Sequence, residues 1–213
     1  YSSSHSNWAV CYMATVSAGM VIVPILPDFS EVELEKILEH SEAKALFVSD
    51  KLYTKVSKER VAKSNIVIRT KNLSVLAQNV TEQGSMAEPK PEDLAAIIYT
   101  SGTTSSPKGV MHTHQSLCSQ LHLLQQLYPI HRDDVWLSVL PLSHTYECSL
   151  GMLFPMSRGS NVTYLDRPPT VSVLLPALKQ VRPTIMLIVP LIIEKIFKHQ
   201  VLATFNANAI TRA

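Results

Sequence analysis

Short apolar runs alternate along the chain with amphipathic ones of helical spacing. Asn7 to Ala18 is apolar almost all round and stops at Gly19, which predicts a buried helix closed by glycine. Met20 to Val23 predicts a short strand ahead of Pro24. Ser30 with Glu33 three positions on is a capping-box pattern, and Leu34, Ile37 and Leu38 follow on one face, giving a second helix that ends near His40. Ala45 to Val48 predicts a strand, Asp50 opens a helix through about Ala62, and Ile66 to Ile68 predicts another strand.

From Thr70 to Glu92 the periodicity weakens: Asn72, Asn79, Gly84, Pro89 and Pro91 interrupt a polar stretch, read as a surface excursion over about 70–92. Leu94 to Ile98 restores a buried strand, and Val110 to Thr113 is a second. Leu117, Leu121, Leu124 and Tyr128 mark one face of a helix starting near His114. A strand at Trp136 to Leu140 runs into a polar corner, Pro141 to Glu147. A helix around Ser149 to Met156, a strand at Asn161 to Leu165, a helix from Thr170 to Val181, a strand at Thr184 to Val189 and a helix through Gln200 complete the rhythm. The alternation predicts an α/β fold of layered, largely parallel β-sheets with flanking helices.

With 213 residues, 46% of them hydrophobic, the chain can bury a substantial core. A formal charge of +2 without long runs of one sign gives no nucleic-acid stripe, so nucleic acid is not an expected partner. Cys11, Cys118 and Cys148 are odd in number and widely spaced, as free thiols in a reducing compartment would be. The most apolar runs are short and contain proline, so no spanning helix is expected. No signal-peptide pattern opens the chain, and the expected location is cytoplasmic.

Chemistry concentrates in Tyr99 to Gly109, which gathers serine and threonine hydroxyls, Gly102, Gly109 and Lys108. Hydroxyls, bare backbone N–H groups and a mobile ammonium suit a polyphosphate. The same residue types also make ordinary turns, but a turn requires neither so many hydroxyls nor a lysine after Pro107. A Walker A loop is excluded, because the lysine is followed by glycine and by the strand-forming Val110 to Thr113 rather than by a helix.

The segment resembles the signature loop of the acyl-adenylate-forming (AMP-binding) superfamily, which includes acyl-CoA synthetases, luciferases and peptide-synthetase adenylation domains. Thr100, Ser101, Gly102, Thr103, Thr104, Pro107, Lys108 and Gly109 fit its usual form, while Ser105 stands where the family ordinarily has glycine. The resemblance extends to Asn7-Trp8-Ala9-Val10, to Ala18 through Pro24, to Leu38 through Lys44 and to Val110 through His114. Leu140-Pro141-Leu142-Ser143-His144-x-Tyr146-Glu147, with Val181-Arg182-Pro183-Thr184 and Pro190-x-x-x-Glu194-Lys195, is most like the long-chain fatty-acyl-CoA synthetases.

The resemblance implies ATP-dependent activation of a fatty acid to an acyl-adenylate and then to an acyl-CoA thioester. ATP, a fatty acid and CoA are the implied partners. Thr100, Ser101, Gly102, Thr103, Thr104, Ser105 and Lys108 would bind the nucleotide, Lys108 and His144 would serve the chemistry, and His144 and Tyr146 would border the acyl site. Magnesium is expected on a carboxylate outside this chain. His112 and His114, two apart on a predicted strand, could face one metal but have no evident third ligand, and Asp133-Asp134 reads as a turn and strand entry, so structural roles explain both pairs.

Several family motifs are absent from the sequence: an aromatic-Gly-x-Thr-Glu segment, a Thr-Gly-Asp segment and a C-terminal lid with its lysine. The expectation is therefore a partial N-terminal AMP-binding domain over residues 1–213, inactive by itself. The alternative is a non-catalytic or degenerate nucleotide- or acyl-binding module. A long-chain acid would also invite peripheral contact with a membrane, which no basic amphipathic helix declares.

Overall fold

The computed structural model describes residues 1–80, 88–100 and 108–198. Helix α1 (Ser6–Ser17) is capped by the His5 imidazole, whose Nδ1 accepts from the Asn7 N–H at 3.1 Å. Gly19, at φ 72°, takes the left-handed backbone that lets the chain turn away. The predicted strand at Met20 to Val23 contracts to a single parallel bridge, with Ile22 donating to Ala95 and accepting from Ile97. Pro24 has no N–H with which to extend that pairing.

Helix α2 (Glu31–His40) carries the capping box that the sequence predicts. The Ser30 hydroxyl accepts from the Glu33 N–H, and the Glu33 carboxylate accepts from the Ser30 N–H. Leu34, Ile37 and Leu38 are buried. Strand β1 (Ala45–Val48) follows, but the single helix expected from Asp50 to about Ala62 is two, α3 (Asp50–Tyr53) and α4 (Lys58–Lys63). The first closes at Thr54, and Ser57, in extended backbone, starts the next by accepting from the Arg60 N–H through its hydroxyl.

Strand β2 (Ile66–Arg69) pairs in parallel with β1, and β3 (Val75–Gln78) pairs antiparallel with β2. Strand β3 lies inside the stretch read as a surface excursion. Its tight reversal puts Leu73 at φ 58°, where a turn usually announces itself with glycine or asparagine.

Strands β4 (Leu94–Thr100) and β5 (Lys108–Thr113) form an antiparallel pair. Helix α5 (His114–Leu127) is capped by Thr113. Strand β6 (Val135–Ser138) pairs in parallel with β7 (Asn161–Tyr164), and between them run a π-helix (Glu147–Leu153) and α6 (Phe154–Arg158). The π-helix replaces the start of the helix predicted from Ser149. Helices α7 (Val171–Val181) and α8 (Pro190–Ile196) close the described chain, and the strand expected at Thr184 to Val189 is a single parallel bridge from Ile185 to Trp136. Gln200, the expected end of the last helix, lies outside the described residues.

The class is α/β, with helices packed on sheets whose ladders are parallel in two pairs and antiparallel in two. One core gathers Leu34, Ile37 and Leu38 of α2 with Leu46, Val48, Val67 and Tyr99. A second joins Trp8, Tyr12 and Val16 of α1 to Ala95 of β4, Leu142 of the corner, and Cys148 and Met152 of the π-helix. The hairpin and the corner are thus built on shared hydrophobic ground. Among the described residues no helix is long and apolar enough to cross a membrane.

Candidate functional site

The hydroxyl-rich stretch is bracketed by its own stem. Thr100 pairs with Lys108 across the β4–β5 ladder, and Tyr99 pairs with Gly109 behind them. Both Thr100 and Lys108 are exposed. Ser101, Gly102, Thr103, Thr104 and Ser105 lie outside the described residues. Lys108 opens a strand, so the helix that a Walker A lysine would require is not there.

Gly109 is required by the packing of that stem. A Cβ there would stand 2.8 Å from Ile97 Cγ2 and 3.2 Å from Tyr99 Cζ, so the two strands close only because position 109 has no side chain. The buried Tyr99 ring fills the space, and its hydroxyl lies 2.6 Å from His40 Nδ1. Burial raises the pKa of this phenol.

The corner after β6 is held from both ends. The Ser4 hydroxyl donates to the Leu140 carbonyl at 3.2 Å and accepts from the Leu142 N–H at 3.1 Å. The His144 N–H donates to Pro141, and the His144 carbonyl accepts from Cys148 at the start of the π-helix. His144 and Tyr146 themselves are exposed. His144 Nδ1 accepts from the Tyr146 N–H at 3.3 Å, so the neutral ring carries its proton on Nε2 and presents a donor outward. Such a group suits an anionic oxygen.

Glu147, beside them, is fully buried. Neither carboxyl oxygen has a hydrogen bond of ordinary geometry, although the Ser138 hydroxyl and the Val139 and Leu140 backbones lie close enough to favour the charged form weakly. Desolvation dominates and pushes its pKa up to about 7. The same burial raises Cys148 and Tyr164 to about 12, and raises Tyr12 as well. The sequence carries a signal for this cluster: Glu147 is the one charged residue in the run from Glu147 to Met156, otherwise apolar or small. π-Turns of this kind recur at functional sites.

His112 sits on β5 and His114 is the first residue of α5, so the two do not share a strand face. Asp134 accepts from the His131 N–H and from the Thr184 hydroxyl, contacts that hold its carboxyl below the usual range and fix a turn. Among the described residues no three His, Cys, Asp or Glu side chains gather in a way that would hold a metal ion.

The chain is 32% identical over 128 residues to an indigoidine synthase from Streptomyces lavendulae, covering 60% of this chain and 10% of that protein. It is 25% identical over 224 residues to long chain acyl-CoA synthetase 2 from Arabidopsis thaliana, covering 92% of this chain and 33% of the relative. A malonyl-CoA ligase solved as a ternary product complex with methylmalonyl-CoA and AMP superposes with a TM-score of 0.71 at 26% identity, over 97% of this chain and 41% of that one. The chain spans about a third or less of the length of the curated relatives it matches. The family model described as AMP-binding enzyme matches residues 1–211. With that match over an α/β fold shared with adenylate-forming enzymes, the chain belongs to the AMP-binding enzyme family.

Proposed function

We propose that this chain supplies the phosphate-binding portion of an ATP-dependent acid–thiol ligase whose acid is a long-chain fatty acid. The observation that carries the reading is the register of the stem, which sets Thr100 opposite Lys108 at the two ends of the hydroxyl-rich stretch.

The chemistry follows from what a carboxylate lacks. A thiol cannot displace oxide from it, so the carboxylate oxygen first attacks the α-phosphorus of ATP. The bond from that phosphorus to the bridging oxygen breaks, and pyrophosphate leaves. The CoA sulfur then attacks the acyl carbon, the bond to the AMP oxygen breaks, and the thioester forms with release of AMP and a proton. Negative charge on the β- and γ-phosphates grows in the first step. Lys108, together with the hydroxyls and N–H groups of Thr100 through Ser105, stabilises it by position and electrostatics. His144, with Nε2–H outward, holds the acid carboxylate or the departing pyrophosphate, and Tyr146 lines the acyl side. Magnesium, held by a carboxylate outside this chain, would neutralise part of the same phosphate charge.

The fatty acid, as opposed to a dicarboxylate or an amino acid, is supported by the Leu140 to Glu147 corner. The test is ATP–pyrophosphate exchange by the full-length protein with long-chain fatty acids, malonate and amino acids supplied in turn. Exchange with fatty acids and its loss in Lys108→Ala are expected. Exchange with only malonate or amino acids overturns the acid assigned, and exchange undiminished in Lys108→Ala overturns the role of the loop. ATP binding without exchange for any acid favours the non-catalytic module.

A further inference from the structure

Resting on the proposed phosphate-binding role of this segment, we propose that His40, acting through the Tyr99 hydroxyl, is a positioning residue that fixes the β4–β5 stem, with Thr100 and Lys108 at its end, for ATP. The stem must be held from somewhere, because a displacement of about 1 Å at a phosphate-binding group costs on the order of a hundredfold in rate. Tyr99 is the last buried residue of β4 before Thr100, and its ladder partner Gly109 adjoins Lys108. Whatever orients the Tyr99 ring therefore orients both ends of the loop.

Two contacts orient it. The ring lies against Gly109, where a Cβ would stand 3.2 Å from its Cζ and 2.8 Å from Ile97 Cγ2. Its hydroxyl reaches His40 Nδ1 at 2.6 Å, with the two rings edge to face and 5.8 Å between centroids. The phenol hydroxyl and the imidazole Nδ1 share this hydrogen bond, whose donor is set by the tautomer of the ring. Among the described residues this is the one side-chain hydrogen bond made to β4.

His40 is well suited to be the fixed end. It is the last residue of α2, whose start is locked by the Ser30–Glu33 box and whose inner face, Leu34, Ile37 and Leu38, packs in the same core as Tyr99. The helix is anchored by burial, and the hydrogen bond transmits its position to the stem. Packing confines the ring, and the directional bond to Nδ1 fixes where its hydroxyl end sits.

The test measures ATP–pyrophosphate exchange in the full-length protein carrying Tyr99→Phe, His40→Ala, His40→Asn and the Tyr99→Phe/His40→Ala pair, with a melting temperature for each. Loss of one hydrogen bond predicts a KM for ATP raised about three- to tenfold in Tyr99→Phe and in His40→Ala. The KM for the acid should change less, and the double variant should be no worse than either single one. His40→Asn, whose amide can occupy the place of Nδ1, should restore the KM. Additive losses in the double variant, an unchanged KM for ATP in both single variants, or equal rises in KM for ATP and acid overturn the proposal. Lys108→Ala, measured alongside, separates the two readings. If it leaves exchange intact the loop assignment fails, and if it abolishes exchange while the His40 and Tyr99 variants behave as the unaltered protein, only the positioning role fails. Tyr99→Phe keeps the buried ring and so stands as the deciding variant should His40→Ala not fold.

Discussion

The carboxyl group of Glu147 occupies the space in which a side chain at Gly151 would begin: a Cβ there would stand 2.6 Å from both Cδ and Oε1. The two residues are four apart, and the helix between them is widened to a π-turn just before Pro155, which cannot donate to the turn behind it. A buried carboxyl under a bare glycine ties the corner bearing His144 and Tyr146 to the core beneath.

Gly151→Ala should be destabilising, because the buried carboxyl has no solvent to swing into. Overpacking of this kind costs about 1–3 kcal/mol, which for a chain of this size lowers the melting temperature by roughly 2–4 °C per kcal/mol. Thermal denaturation of Gly151→Ala, Glu147→Ala and the Gly151→Ala/Glu147→Ala pair checks the cause: the double variant should lose less than the sum of the single ones, and strict additivity would show that the two side chains do not compete for one space.

Stability should fall as pH rises between about 4.5 and about 7. The folded protein keeps the Glu147 proton up to about 7, whereas the unfolded chain releases it near the ordinary 4.5. Its contribution is therefore fully present below 4.5 and gone above 7, and the full swing corresponds to about 3 kcal/mol. Glu147→Gln is neutral at every pH. Urea denaturation from pH 4.5 to 8 should show that variant gaining on the unaltered protein as pH rises, and a constant difference across the range would count against the burial described.

His144 should separate by the nitrogen that a substitute imitates. Asparagine can keep the contact to the Tyr146 N–H made by Nδ1 but loses the outward donor, whereas glutamine reaches the Nε2 position. For an anion held by one hydrogen bond, His144→Asn should raise the KM for the acid or for pyrophosphate about tenfold, and His144→Gln should lie closer to the unaltered protein. The reverse order in steady-state kinetics would place the function of His144 in the backbone contact.

Gly109→Ala should damage nucleotide use more than folding. The added methyl meets Ile97 and Tyr99, the residues that close the stem at the edge of the core around α2, while Leu34, Ile37, Leu46, Val48 and Val67 deeper in that core keep their packing. Exchange activity should fall by about tenfold or more while the melting temperature drops by only a few degrees. A fall in melting temperature without loss of exchange would separate the stem from the site.

What the sequence by itself determined was whatever is decided within a few residues of chain. The Ser30–Glu33 box, the Gly19 stop and the strand at Ala45 to Val48 rest on hydrogen bonds and sterics between near neighbours, and they stand where the pattern puts them. The same local order of residue types is what points to phosphate at the hydroxyl-rich stretch and to a polar corner at His144. Only the tertiary structure decided the rest. Strand β3 exists because β2 offers it an edge, not because Leu73 announces a turn. The antiparallel pairing of Thr100 with Lys108 depends on two strands meeting. His40 meets Tyr99, and Ser138 and Tyr164 come near Glu147, from positions far apart in the chain. Hydrogen-bond partners and desolvation are properties of the assembled interior, so a charge that reads as a polar corner in sequence became a buried, proton-holding group once the core had formed around it.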